Sequence, residues 1–412
     1  MFSSSDKKSW KEVFNVEYKF SDKIANLKPS AVREILKSTS DPDVISFAAG
    51  NPAPEAFPVE DIRAITKKIL DEEPILALQY GVTEGYGPLV DLLKHSIKER
   101  LGIGSENDAL IVTSGATQVM ELTTKVLCNE GDTVLVEDPS FIGSLKAFRS
   151  HGVKLTGVTL EPDGVNLEEL EAALKADDRI RVFYTITNFQ NPSGYTLSWE
   201  KRKAIYDLAC KYDIIILEDN PYGDLRVAGE DIPAIKTLDT EGRVIYAGTF
   251  SKVIAPGIRV GYALGPKEIL AKMTVGKQTE DVHNVMLSQL LVYHWLKEYD
   301  LKSHIARMQD IYRKKLNLMC DLIDSELGDY VEYVRPEGGL FVWCRLRDDL
   351  PMLEFCKKAV EKKVAVVPGT AFLADENGST QFIRLNFSTP TDEEIVTGMK
   401  LLGQVAREMT GE

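Results

Sequence analysis

Between residues 109 and 265 short apolar runs alternate with amphipathic stretches, the pattern of a mostly parallel sheet wrapped by helices. The spacing predicts strands at Ala109–Thr113, Thr133–Glu137, Lys154–Val158, Arg181–Thr185, Ile214–Glu218 and Val244–Ala247. Ile214-Ile215-Ile216-Leu217 is continuously apolar, as a strand covered on both faces must be. Helical periodicity fills the gaps at Thr117–Leu127, Leu167–Leu174 and Trp199–Lys211. Beyond this region the pattern changes. A long helical stretch from Lys267 to Ser325 leads to strands at Tyr330–Val334 and Phe341–Arg345. A helix at Met352–Lys362, strands near Val364–Val367 and Phe382–Phe387, and a closing helix from Thr391 follow. Helical patterns at Ser30–Lys37 and Glu60–Asp71 precede the first strand.

The expected architecture is α/β. A three-layer αβα large domain with a mostly parallel sheet covers residues 76–290. A smaller α/β domain is built from a C-terminal part, 291–412, with an N-terminal segment, 1–75, packed beside it. At 412 residues the chain exceeds one ordinary core, which agrees with two unequal domains. There are no internal repeats and no low-complexity linker.

Composition removes several function classes. A net charge of -14 repels a phosphate backbone, so no nucleic-acid partner is expected. The five cysteines include no Cys-x-x-Cys pair and the five histidines no ligand spacing, so neither a disulfide framework nor a metal site is expected. No run approaches the roughly 20 apolar residues of a membrane span, and Met1–Lys8 lacks a signal peptide's apolar stretch. A cytoplasmic protein with idle thiols is the expectation. Gly85-Tyr86-Gly87 and Gly102-Ile103-Gly104 begin like dinucleotide fingerprints, but neither joins a strand to a helix with the third glycine.

The chemistry gathers at strand ends, where open parallel sheets bind ligands. After the first of these strands, Ser114-Gly115-Ala116-Thr117 opens a helix whose free N–H groups suit an anion, although a plain helix cap has the same residues. Asp138-Pro139-Ser140-Phe141 follows the second and offers a ring that can stack on a planar cofactor or fill core. Asn191, in Asn188-Phe189-Gln190-Asn191-Pro192-Ser193-Gly194, is either a turn residue or an amide aimed at a ring oxygen. Asp219, at the mouth of a wholly apolar strand before Tyr222, requires a partner, and a protonated pyridine nitrogen would serve. Gly248 to Gly261 supplies Thr249, Ser251, Lys252 and Arg259: an amine able to form a Schiff base, with hydroxyls and a guanidinium for a phosphate.

Together these residues resemble the fold-type I, class I/II aminotransferases that use pyridoxal 5′-phosphate. Ser251-Lys252-x-x-x-Pro256-Gly257-x-Arg259-x-Gly261 carries most of the likeness, which runs from Ser46-Phe47-Ala48-Ala49-Gly50-Asn51-Pro52 to Phe382-Ile383-Arg384-Leu385-Asn386. Leu78-Gln79-Tyr80-Gly81 and Phe189-Gln190-Asn191-Pro192-Ser193-Gly194 are most similar to the 2-aminoadipate and kynurenine aminotransferase branch.

The resemblance implies that Lys252 bonds covalently to the cofactor and later moves a proton. Asp219 would pair with the pyridine nitrogen, and Asn191 and Tyr222 would contact the phenolic oxygen. Ser251, Arg259 and the Ser114–Thr117 backbone would hold the phosphate, and Phe141 would stack where the family more often has tyrosine. Tyr80 would reach the neighbouring subunit's phosphate, implying a homodimer. Arg384 would clamp the substrate α-carboxylate, with Gly50, Asn51 and Asn191 on the substrate side. Arg33 is either a substrate contact or a solvated helical residue. The implied reaction is ping-pong transamination of an aromatic, branched or 2-aminoadipate-like amino acid with a 2-oxo acid such as 2-oxoglutarate. A carbon–sulfur β-lyase on the same residues is the alternative. A pyridoxal-phosphate-binding transcriptional sensor is disfavoured by the short N-terminus and negative charge.

Overall fold

The computed structural model of the protein describes residues 18–25, 27 and 43–412. The helix expected at Ser30–Lys37, with Arg33, lies outside them. The first strand, β1 (Ile45–Ser46), precedes an eight-stranded sheet. That sheet is formed by β2 (Asp108–Thr113), β3 (Thr133–Asp138), β4 (Lys154–Glu161), β5 (Gly164–Val165), β6 (Ile180–Ile186), β7 (Ile215–Asp219), β8 (Val244–Thr249) and β9 (Gly261–Pro266). Its spatial order is β2-β9-β8-β7-β6-β3-β4-β5. The run β8-β7-β6-β3-β4 is parallel, and β9 and β5 are antiparallel to their neighbours.

Alternate residues of each central strand enter opposite faces, and both faces are apolar. Val134, Val136, Val182, Leu217 and Ile245 pack with Val119, Met120, Leu145, Phe148 and Met273 from helices Ala116–Leu127, Ile142–Ser150 and Lys267–Gln278. Leu135, Phe183, Ile216 and Val244 face Leu170, Leu174, Ile205 and Ala209 from Leu167–Ala176 and Trp199–Tyr212. Helices Gly87–Leu101 and Met286–Glu298 cover the remainder of that second face through Leu93, Leu290 and Trp295 against Leu110, Val112 and Leu264. The result is three layers, as the sequence pattern implied. Local signals start the helices: Asn166 and Ser198 each accept an N–H from the third residue beyond, and Thr391 and Glu394 form a reciprocal capping box.

A second sheet, fully antiparallel, has the order β10 (Val331–Tyr333), β11 (Phe341–Leu346), β14 (Phe382–Asn386), β13 (Val367–Pro368). β12 (Val364–Ala365) pairs in parallel with β1, so residues 45–46 join an element some three hundred residues later. No described helix is long and apolar enough to cross a membrane.

Two expectations need correction. The helical stretch Lys267–Ser325 is three helices, Lys267–Gln278, Met286–Glu298 and Leu301–Glu326. The first break is held open by Asp281, which accepts from Ser114 Oγ, Gln118 Nε2 and Lys277 Nζ, and the second by Asp300, which caps the third helix. Strand β9 was absent from the expected set because Gly261 and Gly265 weaken its apolar signal. Gly261 is required there: a Cβ would lie 2.8 Å from the Gly115 carbonyl carbon and 2.9 Å from Gly248 O.

Candidate active site

The sheet reverses its winding between β3 and β6, and a cavity of about 260 Å³ opens beyond the carboxyl ends of the strands there. At one end, β2 turns into helix Ala116–Leu127 through Gly115, whose φ of +81° favours glycine. A Cβ on Gly115 would sit 2.1 Å from Arg259 Nη2. Arg259 itself donates to Ser114 O at 2.8 Å and lies 3.4 Å from Ser251 Oγ. Thr249 Oγ1 donates to Ser251 Oγ at 3.0 Å and accepts from Ser251 N at 3.1 Å, so the loop after β8 is tied to itself. Helix N–H groups, two hydroxyls and a guanidinium thus converge on one point, the donor set of an anion site.

Deeper in, Asp219 ends β7 in register with Ile186 of β6 and Ala247 of β8. Its Oδ2 accepts from the Tyr184 hydroxyl at 2.9 Å, while its Oδ1 is buried with no hydrogen-bond partner. Burial pushes the Asp219 carboxyl up to about 7, and the Tyr184 hydrogen bond opposes it. Asn191 Nδ2 lies 3.5 Å from the Tyr222 hydroxyl, and Phe141 forms the N-cap of helix Ile142–Ser150. Lys252 Nζ donates to Gly50 O at 2.7 Å. Burial, then Arg384 and Arg259, lower the Lys252 ammonium to about 8, which leaves a useful fraction of free amine near neutrality.

Arg384 comes from the second sheet, on β14 opposite Trp343 and Val367. Its guanidinium lies 4.2 Å from the Phe341 ring centroid and 4.9 Å from that of Phe372. Nη1 donates to Asn191 Oδ1 at 2.9 Å and Nη2 to Ala48 O at 2.8 Å, while the buried Nε has no partner. Held in this way, Arg384 is a preset planar fork whose remaining N–H groups await an anion.

A family model for class I and II aminotransferases matches residues 42–400. The chain belongs to that family. An aromatic-amino-acid aminotransferase of Thermococcus litoralis is 39% identical over 94% of each chain. The 2-aminoadipate transaminase of Thermus thermophilus is 36% identical over 97% of this chain and 98% of its own. The crystal structure of the Thermus thermophilus alpha-aminoadipate aminotransferase complexed with N-(5′-phosphopyridoxyl)-L-leucine superposes with a TM-score of 0.86. It is 35% identical and covers 98% of this chain and 100% of its own.

Aminotransferases of this family use pyridoxal 5′-phosphate, and the residues present fit that group. The orphaned Asp219 Oδ1 matches a protonated ring nitrogen, the Gly115–Ser251–Arg259 cradle matches a phosphate, and Lys252 supplies the amine. Of the residues singled out in the sequence, Gly50, Ala116, Thr117, Phe141, Asn191, Asp219, Tyr222, Ser251, Lys252, Arg259 and Arg384 all line this cavity. Gly115 lies directly beneath Arg259.

Three residues sit elsewhere. The Ser114 hydroxyl is engaged by Asp281 and Asn284, so only its backbone faces Arg259. Asn51 is exposed and contributes its carbonyl to Ser388 and Thr389. Tyr80 is 81% exposed, edge-on to His283 and outside the cavity of its own chain. Sequence reasoning did not pick out Tyr184, Ser144, Phe341 or Phe372. Tyr184 and Phe341 lie within strands, where an aromatic in an apolar run has the same signature as core.

Gly115→Ala is expected to displace Arg259 and strain the +81° turn. Equilibrium dialysis of pyridoxal phosphate should show about tenfold or greater weakening with the fold retained by circular dichroism.

Proposed function

We propose that the chain exchanges amino groups between an α-amino acid and a 2-oxo acid, with pyridoxal 5′-phosphate held between Arg259 and Asp219. The observation that carries this is the orphaned buried oxygen of Asp219, in one cavity with Lys252 and with Arg384 from the other sheet. When bound, the cofactor supplies an aldehyde for covalent attachment of amines and a ring that accepts electrons from the substrate Cα.

The protein's own residues do the rest. Arg384 binds the α-carboxylate and, anchored to Asn191 and Ala48, orients the Cα–H bond. Lys252, with its amine free, would take the proton from the substrate Cα and hold it for delivery to the carbon on the far side of the substrate nitrogen. Asp219 stays ionised to hold the ring nitrogen charged, and Asn191 and Tyr222 face the ring's oxygen. Ser251, Arg259 and the N–H groups of Ala116 and Thr117 fix the phosphate, while Phe141 covers the ring.

Aromatic, branched aliphatic or 2-aminoadipate-like donors, with 2-oxoglutarate as acceptor, are the proposed substrates. The relatives above support this range. So does the cavity lining, whose three cations, Lys252, Arg259 and Arg384, all have roles in this scheme.

A homodimer is proposed on the strength of an exposed apolar strip. Ile75, Leu78, Tyr80 and Val82 are 75%, 74%, 81% and 60% exposed, and Val282 and Val285 continue the strip. Tyr80 on that strip would reach a partner's phosphate. The two sheets are read as a large cofactor domain, 76–290, and a small domain, 291–412, with segment 1–75. The site is expected to work in the cytoplasm.

The deciding test is the visible absorbance of the purified protein with single amino acids and no acceptor. Transamination requires the bound-cofactor band to shift with a good donor and to recover when 2-oxoglutarate is added. Continuous ammonia release with no accumulated shift would replace this reading with the β-lyase. Separately, Arg384→Lys keeps the charge but loses the fork and the ring stacking. Charge-assisted hydrogen bonds contribute about 1.5–3 kcal/mol, so KM for the amino acid should rise about 10- to 100-fold in steady-state assays, with little change in cofactor affinity.

A further inference from the structure

Among the described residues, the Asp219 carboxylate accepts one hydrogen bond, from a residue that itself sits in a chain. Ser144 Oγ, on helix Ile142–Ser150, donates to the Tyr184 hydroxyl at 2.9 Å, and that hydroxyl donates to Asp219 Oδ2 at 2.9 Å. Tyr184 is fully buried in β6, on the sheet face that packs against this helix, with its ring edge-on to Phe148 at 5.2 Å. A phenol has one proton to give. An ionised Asp219 can only accept, so the chain of donors has a single direction, Ser144 to Tyr184 to Asp219. A protonated Asp219 would either compete with that proton or reverse the direction.

We propose that Tyr184, polarised by Ser144, is a positioning residue that holds Asp219 ionised and turns its free oxygen, Oδ1, toward the ring nitrogen. This rests on the cofactor reading given above.

The surrounding charges make such a device necessary. Glu137 on β3 is fully buried nearby, and its charge works against that of Asp219. Glu137 is itself held by Thr185, the Ile186 N–H at 3.2 Å and Gln190 at 3.1 Å. Tyr222 feels the charges of both Arg384 and Asp219, and no cation among the described residues forms an ion pair with Asp219. With burial favouring protonation, the Tyr184 hydroxyl is the one group among the described residues that favours the carboxylate. Hydrogen-bond chains strengthen the terminal donor, which gives Ser144 its part.

The test compares the holoenzyme with Tyr184→Phe and Ser144→Ala, reading two things: the pH dependence of the visible absorbance of bound cofactor, and the acid limb of kcat/KM. Tyr184→Phe keeps the ring against Phe148. It should move the acid limb and the spectral titration upward by about one pH unit, with kcat about tenfold lower and KM within about twofold. Ser144→Ala should move both the same way by a smaller amount. A tyrosine that merely fills space would lower thermal stability and leave both titrations where they are. Unshifted titrations in a folded Tyr184→Phe protein overturn the proposal. Should that variant not fold, an unshifted Ser144→Ala overturns it equally. A wild-type protein that takes up no pyridoxal phosphate would instead sink the cofactor reading itself.

Discussion

Replacing Lys252 with alanine is expected to abolish the visible absorbance of covalently held cofactor and to lower kcat by at least about 10⁴-fold. Proton transfer by a positioned side chain is worth about 10²–10⁴ in rate, and the same residue also anchors the cofactor covalently. Its environment is suited to both tasks. Burial, with Arg384 and Arg259 nearby, brings the ammonium down to about 8, so the neutral amine grows in as pH rises through that value. Free-amine chemistry at Lys252 should accordingly be weakest below pH 7 and level off above pH 9. Lys252→Arg tests the same point differently, because a guanidinium keeps its proton at any working pH. Both variants should still bind pyridoxal phosphate non-covalently through Arg259 and Ser251, as dialysis would measure. Single-turnover transfer near the wild-type rate in either variant would refute the role given to Lys252.

Asp219→Asn is expected to lower kcat about 10²- to 10³-fold while leaving the covalent attachment at Lys252 intact. Asparagine preserves the shape and the contact with Tyr184 but cannot carry the charge that keeps a ring nitrogen protonated. Placed charges at a reacting centre are worth about 10²–10³ per group in rate. Asp219→Ala should be at least as severe, since it also leaves the Tyr184 hydroxyl buried without an acceptor. Stopped-flow absorbance with a saturating amino acid isolates the step. Slow loss of the Cα proton, with a large solvent-independent isotope effect on Cα-deuterated substrate, is the expected result. An Asn variant within a few-fold of the parent would remove Asp219 from the chemistry.

Much of this was legible in the chain because its signals are local. The parallel strands announce themselves as apolar runs, and Asn191, Asp219 and Lys252 stand out as polar residues at the ends of such runs. Other parts depend on contacts invisible in one dimension. Ser114 looks like an anion ligand until Asp281 and Asn284, some 170 positions later, claim its hydroxyl. Tyr184 looks like core until Ser144 and Asp219 are seen on either side of it. The long helical stretch after Lys267 carried an unbroken pattern, and the breaks come from Asp281 and Asp300, acidic residues common on any helix surface. Arg384 was recognisable by family likeness, but its Phe341 and Phe372 flanks were not.

The pairing of β1 with β12 has a consequence for how the molecule is made. Ile45 meets Val364, Ala48 accepts from Arg384, and Gly50 accepts from Lys252, so one short segment near the start touches residues synthesised much later. Contacts of such sequence separation form late, after local structure. The central sheet, with Lys252 and Asp219, can therefore be complete on a growing chain before Arg384 exists. During that interval Lys252 lacks the Arg384 charge that helps to lower its ammonium, so part of what frees the amine arrives together with the carboxylate clamp.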